Sequence, residues 1–275
     1  MRFGRINLHI DYTEAGVRKE DGYMPHLDSY LLDDQEIPFK RKAVIICPGG
    51  GYTFTSEREG EPIAMQFLAA GIQAFVLWYS VEPAVFPMAL MELAESVKVV
   101  RDHADEWNID PDKISVMGFS AGGHLAASML CFWNSGFLAD SLHVTKEEIR
   151  PNGGLLCYPV ITSGEKAHRG AFDALLRGLS PEHLELTSLE KQVNEGHPPV
   201  FLWHTWEDEL VPVENSLYYM QALRDRGIPC EAHIFVHGGH GLALATKETG
   251  SDKNDAAAAA AKEWVGLAVN WLNNL

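Results

Sequence analysis

The stretch that decides the fold is Ile114-Ser115-Val116-Met117-Gly118-Phe119-Ser120-Ala121-Gly122. Its first four residues predict a buried strand, and the residues from Ser120 to Met129 predict the helix that follows. A serine between two glycines at a strand-to-helix turn has the spacing of a nucleophile elbow, in which the hydroxyl projects above the sheet. We therefore predict that Ser120 is a nucleophile. The alternative is a glycine-rich turn without chemistry.

The segments around this turn predict an α/β fold. From residue 42 onward, apolar strands alternate with segments of helical periodicity, which indicates a mostly parallel sheet with helices on both faces. The residues before position 40 predict short antiparallel strands. We expect strands at 3–10, 27–32, 43–47, 74–79, 114–117, 155–158, 200–204 and 230–236, and helices at 59–70, 88–107, 120–129 and 213–226, with a final helix capped by Asp255.

The chain has no internal repeat and no break in composition, so we expect one α/β domain over all 275 residues. Two irregular segments, 133–150 and 163–197, are the best candidates for insertions over the sheet edge that form a small cap. Asp110-Pro111-Asp112 predicts a turn before the strand that leads to Ser120.

Composition excludes several classes of function. The formal net charge of −16 argues against nucleic acid as a partner, because phosphate binding needs clustered Lys and Arg. The four cysteines show no metal-type spacing, so we expect free thiols, no metal and no other cofactor. The first ten residues lack the apolar core of a signal peptide, and no stretch is long enough to span a membrane. We expect a cytoplasmic protein without a membrane partner, and leave a homo-oligomer open.

A triple glycine follows the first parallel strand, in Pro48-Gly49-Gly50-Gly51-Tyr52. Glycines let backbone N–H groups point into a site without obstruction by side chains. We predict an oxyanion hole in which Gly50 or Gly51 donates together with the N–H of Ala121, and the sequence leaves open which glycine does so. A flexible turn is the alternative.

A nucleophilic serine needs a base, and the base needs an orienting carboxylate. His240 lies in the loop after the last strand, flanked by glycines, and is favoured over His237, which directly continues that strand. Asp208 lies in the loop after the strand at 200–204 and is favoured over Glu207, although Asp is also common as a local turn residue. The order Ser120, Asp208, His240 is that of α/β-hydrolases.

Taken together, these motifs resemble bacterial esterases of the acetyl-xylan-esterase-like and hormone-sensitive-lipase-like branch of α/β-hydrolases. The resemblance covers residues 42 to 275 and implies a Ser120, Asp208, His240 triad with Gly50, Gly51 and Ala121 as oxyanion donors. Pro48 stands where the HGGG motif of lipases has histidine. The segments that carry the resemblance are Pro48-Gly49-Gly50-Gly51-Tyr52, the acidic stretch 57–62, Gly118 to His124, Trp203-His204-Thr205 with Asp208, Val211-Pro212-Val213, and His237 to Gly241.

The resemblance implies a serine carboxylic-ester hydrolase that forms an acyl-enzyme, with short-chain acetyl esters, and acetylated sugars among them, as small-molecule substrates. Tyr52, His124 and Trp206 are candidate pocket residues. Glu57, Glu59 and Glu61 precede or open a helix, where carboxylates interact well with the helix dipole. Two alternatives remain: a prolyl-oligopeptidase-type peptidase and a non-catalytic binding protein on the same fold. Peptidases of that type usually carry a large extra domain, for which we expect this chain to have no room.

Overall fold

The computed structural model describes residues 1–13, 23–33, 37–250 and 260–275. It contains a sheet of eight strands in the order β1-β2-β4-β3-β5-β6-β7-β8. The pairs β1–β2 and β2–β4 are antiparallel and all other neighbours are parallel, which confirms the predicted α/β class and its antiparallel N-terminal strands. The strands are β1 (Arg2–Asn7), β2 (His26–Leu31), β3 (Arg41–Cys47), β4 (Gln73–Trp78), β5 (Ile109–Phe119), β6 (Gly153–Cys157), β7 (Val200–Thr205) and β8 (Cys230–Phe235).

Helices cover both faces of the sheet. Successive strand residues point to opposite faces, so Ile45 packs in the core beneath α2, α3 and α7, whereas Val44 and Ile46 pack in the core beneath α1 and α8. Among the described residues, no helix is long and apolar enough to cross a membrane. The helices are α1 (Glu61–Ala69), α2 (Met88–Asp102), α3 (Ala121–Phe132), α4 (Gly136–Leu142), α5 (Arg169–Leu175), α6 (Glu182–Leu186), α7 (Glu214–Asp225) and α8 (Trp264–Asn274).

The structure differs from the predicted elements at several boundaries. The predicted turn at Asp110-Pro111-Asp112 is wrong, because these residues lie within β5. They form an irregularity in its pairing with β3, where the register shifts between Arg41 and Ala43. The helix predicted to run to residue 107 ends at Asp102. The predicted N-cap Asp255 lies outside the described residues.

The two segments predicted to be insertions contain short helices. Segment 133–150 holds α4 and a 3-10 turn at Lys146–Ile149, and segment 163–197 holds α5, α6 and a 3-10 turn at Leu189–Lys191. That these segments act as a cap stays a prediction.

An aromatic cluster packs under the carboxyl ends of the central strands. Trp264 of α8 stacks on Trp203 of β7 with ring centroids 5.4 Å apart, and it forms a T-shaped pair with Phe119 with centroids 5.9 Å apart. The Trp264 indole N–H donates to the carbonyl of Ala243, three residues after His240, at 2.9 Å. One buried side chain therefore connects the sheet core to the loop that carries His240.

Replacing Trp264 with Ala should lower the free energy of unfolding by about 3–5 kcal/mol, because a large buried aromatic is lost and a cavity remains. Trp206→Ala is the matched control, since that side chain is 62% exposed. The control should change stability by no more than about 0.5 kcal/mol. Urea unfolding followed by circular dichroism measures the free energy of unfolding of both variants. Equally small losses in the two would contradict the central role of Trp264 in the core.

Candidate active site

Ser120 lies on the tight turn between β5 and α3 in a conformation that non-glycine residues rarely adopt, with φ 53° and ψ −118°. Three backbone hydrogen bonds hold it there. Its N–H donates to the carbonyl of Cys157 at 3.0 Å, and its carbonyl accepts the N–H groups of His124 at 3.1 Å and Val160 at 3.0 Å. The hydroxyl therefore leaves the sheet edge in a fixed direction.

The glycines on either side of this turn are required by close packing. A Cβ on Gly118 would lie 1.9 Å from the carbonyl oxygen of Gly122, and one on Gly122 would lie 2.1 Å from that of Cys47. No side chain fits at either distance. The Gly-x-Ser-x-Gly spacing thus lets the start of α3 pack directly on the end of β3, where the triple glycine begins.

The structure brings Ser120, Asp208 and His240 together. His240 Nε2 lies 2.7 Å from Ser120 Oγ, and His240 Nδ1 lies 2.7 Å from Asp208 Oδ2. An ionised carboxylate only accepts, so the ring proton is on Nδ1 and Nε2 is free to accept the serine hydroxyl. The rivals His237 and Glu207 pair with each other instead, with Nδ1 and Oε1 2.9 Å apart at the surface.

Asp208 is buried but well supplied with donors. Its Oδ1 accepts the backbone N–H groups of Leu210 at 3.0 Å and Val211 at 2.9 Å. Burial favours the neutral acid, but hydrogen bonds from His204, His240 and Val211 hold the pKa of Asp208 well below its ordinary value. The carboxylate therefore stays charged through the whole range in which an imidazole titrates.

His204 is a member of this cluster that the sequence reasoning missed. Located on β7 and fully buried, it places Nε2 3.2 Å from Asp208 Oδ2 and 2.9 Å from the carbonyl of Val211. Its Nδ1 lies 2.7 Å from Ser216 Oγ. The sequence did contain a signal, since His204 is a polar residue at the end of the apolar run that begins at Val200. An imidazole buried in such a run requires hydrogen-bond partners.

The triple glycine forms a turn beside Ser120. Gly50 has φ 136°, and a Cβ there would lie 2.0 Å from the carbonyl oxygen of Phe54, so only glycine fits. Gly49 donates its N–H to Glu59 Oε2 at 2.8 Å. Within the described ranges, the N–H groups of Gly50, Gly51 and Ala121 donate to no protein acceptor. All three predicted oxyanion donors are therefore uncommitted.

The candidate pocket residues occupy two different environments. Tyr52 and His124 are buried, with the Tyr52 hydroxyl 2.9 Å from His124 Nδ1 and His124 Nε2 2.9 Å from the carbonyl of Thr187. Burial lowers the pKa of His124 to about 4, so the imidazole is neutral, donating from Nε2 and accepting the tyrosine hydroxyl. Trp206 instead lies exposed just after β7.

Among the described residues, no three His, Cys, Asp or Glu side chains are grouped as a metal ion would require. The imidazoles and carboxylates near Ser120 are instead paired with one another and with backbone groups.

Two family models and a solved structure match the chain. The BD-FAE model matches residues 27–149, which include Ser120, and the prolyl oligopeptidase family model matches residues 177–266, which include Asp208 and His240. The acetyl ester-xyloside bifunctional hydrolase from Caldicellulosiruptor lactoaceticus is 36% identical, with a TM-score of 0.84 over 98% of this chain and 96% of that one. The chain belongs to the α/β-hydrolase esterases. The predicted family is thereby confirmed.

The chain is also similar to longer curated proteins. It is 39% identical over 233 residues to endo-1,4-beta-xylanase B of Butyrivibrio fibrisolvens, and 30% identical over 212 residues to the acetylxylan esterase of Xylanibacter ruminicola. These alignments take in 82% and 74% of this chain but 36% and 42% of the two relatives. The chain thus spans less than half the length of these two curated relatives.

His204→Phe keeps a ring in the buried site but removes the hydrogen bond to Asp208. Losing a hydrogen bond to a charged group costs about 1.5–3 kcal/mol, so kcat on an acetate ester should fall about tenfold or more. The control is His197→Phe, since His197 is also buried but contacts Tyr219 and Pro198 and no candidate triad member.

Both variants should lose stability, whereas only His204→Phe should lose turnover. Steady-state kinetics and urea unfolding on the same preparations separate the two effects. If kcat fell equally in both, His204 would be no more than a core residue.

Proposed function

We propose that this chain is a serine carboxylic-ester hydrolase that cleaves short-chain esters, above all acetyl esters of sugars, through an acyl-enzyme. The observation that carries the proposal is the pair of 2.7 Å contacts that join Ser120 Oγ to His240 Nε2 and His240 Nδ1 to Asp208 Oδ2. In these two contacts, His240 provides a base for the hydroxyl proton and Asp208 provides a buried charge that stabilises the resulting imidazolium.

In the acylation step, Ser120 Oγ attacks the ester carbonyl carbon while His240 Nε2 takes the hydroxyl proton. The carbonyl oxygen becomes negatively charged, and the N–H of Ala121 and that of Gly50 or Gly51 donate to it. The bond to the alcohol oxygen then breaks, and His240 gives its proton to that oxygen. The products are a free alcohol and an acyl group on Ser120.

In the deacylation step, a water molecule replaces the alcohol. His240 takes one water proton as the water oxygen attacks the acyl carbon, and the same N–H groups again stabilise the oxyanion. Ser120 Oγ leaves and recovers a proton from His240. The carboxylic acid is released, and the hydroxyl and imidazole return to their starting states.

The substrate class is supported by the relatives and by charge. One relative is named an acetylxylan esterase and a structural neighbour an acetyl ester-xyloside hydrolase. The net charge of −16 favours neutral over polyanionic substrates at encounter. Acetylated neutral sugars agree with the names of these relatives and with the preference for neutral substrates. The leaving group is then a sugar hydroxyl.

The first test compares nitrophenyl acetate, butyrate and octanoate with an acetylated xylo-oligosaccharide. We expect the highest kcat/KM on the acetate, acetate release from the sugar, and a loss of at least about 10³-fold in kcat for Ser120→Ala. Full activity in that variant would reject Ser120 as the nucleophile. If the protein preferred a prolyl nitroanilide to the esters, the proposed esterase activity would be replaced by a peptidase activity. If the folded protein turned over none of these substrates, a binding function would be favoured.

A second test separates the two histidines of the loop. His240→Ala should lose kcat by about 10³-fold or more, because the serine loses its base. His237→Ala removes only an exposed pair with Glu207 and should leave kcat within about twofold. Initial rates on nitrophenyl acetate measure both, and the opposite ranking would transfer the role of base to His237.

A further inference from the structure

The acidic stretch contains one carboxylate that does not behave as the sequence predicts. Glu61 opens α1 and Glu57 is exposed at the start of a 3-10 turn, where both lie near helix ends. Glu59, by contrast, is only 4% exposed and its side chain points into the protein. Burying a carboxylate is unfavourable unless donors surround it, so its partners indicate its role.

One carboxylate oxygen of Glu59 holds the glycine turn. Its Oε2 accepts the N–H of Gly49 at 2.8 Å, and Gly49 directly precedes the candidate oxyanion glycines. A Cβ on Gly49 would lie 2.7 Å from Glu59 Oε2 and 3.0 Å from Ser120 Cβ. The carboxylate and the nucleophile therefore both lie close to Gly49.

The other oxygen leads to the loop that carries His240. Glu59 Oε1 accepts the hydroxyl of Tyr158 at 2.6 Å, and that hydroxyl accepts the N–H of Ala243 at 2.9 Å. The Tyr158 ring also lies edge-on to the His240 imidazole, with centroids 5.1 Å apart. The neighbouring Arg58 donates from Nη2 to the carbonyl of Gly241 at 2.6 Å.

We propose that Glu59 is a positioning residue, whose buried carboxylate fixes both the oxyanion turn and the His240 loop relative to Ser120. The inference rests on the proposed ester hydrolysis for its kinetic consequence. Glu59 contacts no reacting atom, and acts through Gly49 on one side and through Tyr158 and Ala243 on the other. A shift of either loop would change the distance from Ser120 to its base or to the oxyanion donors, to which rates are highly sensitive.

The two donors that surround Glu59 favour its ionised form. Each carboxylate oxygen receives one donor, whereas a carboxylic acid or an amide offers a donor in place of one acceptor. Burial raises the pKa of Glu59, and the hydrogen bonds from Tyr158 and Gly49 oppose that rise, as do the charges of His240 and Arg58. Glutamine has the same shape as Glu59 but can satisfy only one of its two donors.

The kinetic experiment compares Glu59→Gln with Glu57→Gln, which makes the same chemical change at an exposed neighbour. On nitrophenyl acetate, Glu59→Gln should lose about 10- to 100-fold in kcat with KM changed less than about threefold, because transition-state contacts are lost. Its affinity for a trifluoromethyl ketone, which mimics the tetrahedral oxyanion, should fall in parallel. Glu57→Gln should match the wild type in both measurements.

Tyr158→Phe provides a second variant that keeps the Glu59 charge and its bond to Gly49 but removes the link to Ala243. We expect a smaller loss of kcat than in Glu59→Gln. A kcat for Glu59→Gln within about twofold of the wild type would overturn the proposal. The proposal would also be overturned if kcat of Glu59→Gln fell only because part of the protein was unfolded, while the folded fraction bound the ketone with unchanged affinity.

Hydrogen–deuterium exchange tests Glu59 without any ester. In Glu59→Gln, peptides covering 48–52 and 241–245 should exchange at least about tenfold faster than in Glu57→Gln, because the bonded amides of Gly49 and Ala243 lose their anchor. Unchanged exchange in both peptides would overturn the inference even if the wild type is an active esterase. Conversely, accelerated exchange together with no ester turnover by the wild type would support Glu59 as an anchor of both loops and reject only the proposed reaction.

Discussion

The site depends on one backbone constraint, the positive φ of 53° at Ser120. A non-glycine residue in such a region costs on the order of 1–3 kcal/mol, and it persists only where the surroundings determine it. Here the surroundings are three backbone hydrogen bonds and a contact so close that Gly122 has no room for a Cβ against β3. Because the turn cannot relax, the hydroxyl, the start of α3 and the glycine turn after β3 keep one relative arrangement.

The remaining groups converge on that turn because parallel strands end at a common sheet edge. Asp208 follows β7 and His240 follows β8, so two loops distant in sequence meet Ser120. Each loop is tied to the interior by a buried polar or aromatic group: His204 holds Asp208, while Trp264 and Tyr158 both hold Ala243. Preorganisation of the candidate site is therefore a property of the packed core as much as of the loops.

Two buried carboxylates serve this arrangement, and neither is isolated. Asp208 receives donors from two histidines and two backbone amides, and Glu59 receives one donor on each oxygen. A buried charge is tolerated only when such donors replace water, so each carboxylate also specifies the position of the groups that surround it. This requirement explains why Glu59 differs from its exposed neighbour Glu57 despite their closeness in sequence.

The sequence by itself determined the alternation of strands and helices, the elbow at Ser120 and the order of the candidate triad, since each follows from local spacing or chain order. Only the tertiary structure decided which loop histidine faces Ser120, which pairs with Glu207, and which carboxylates are buried. It also decided that Asp110-Pro111-Asp112 lies within a strand, because Ile109 and Ile114 on either side of it pair with Arg41 and Ala43 of β3. Glu59 could not be assigned from sequence because its partner Tyr158 lies 99 residues away, and only folding brings them together.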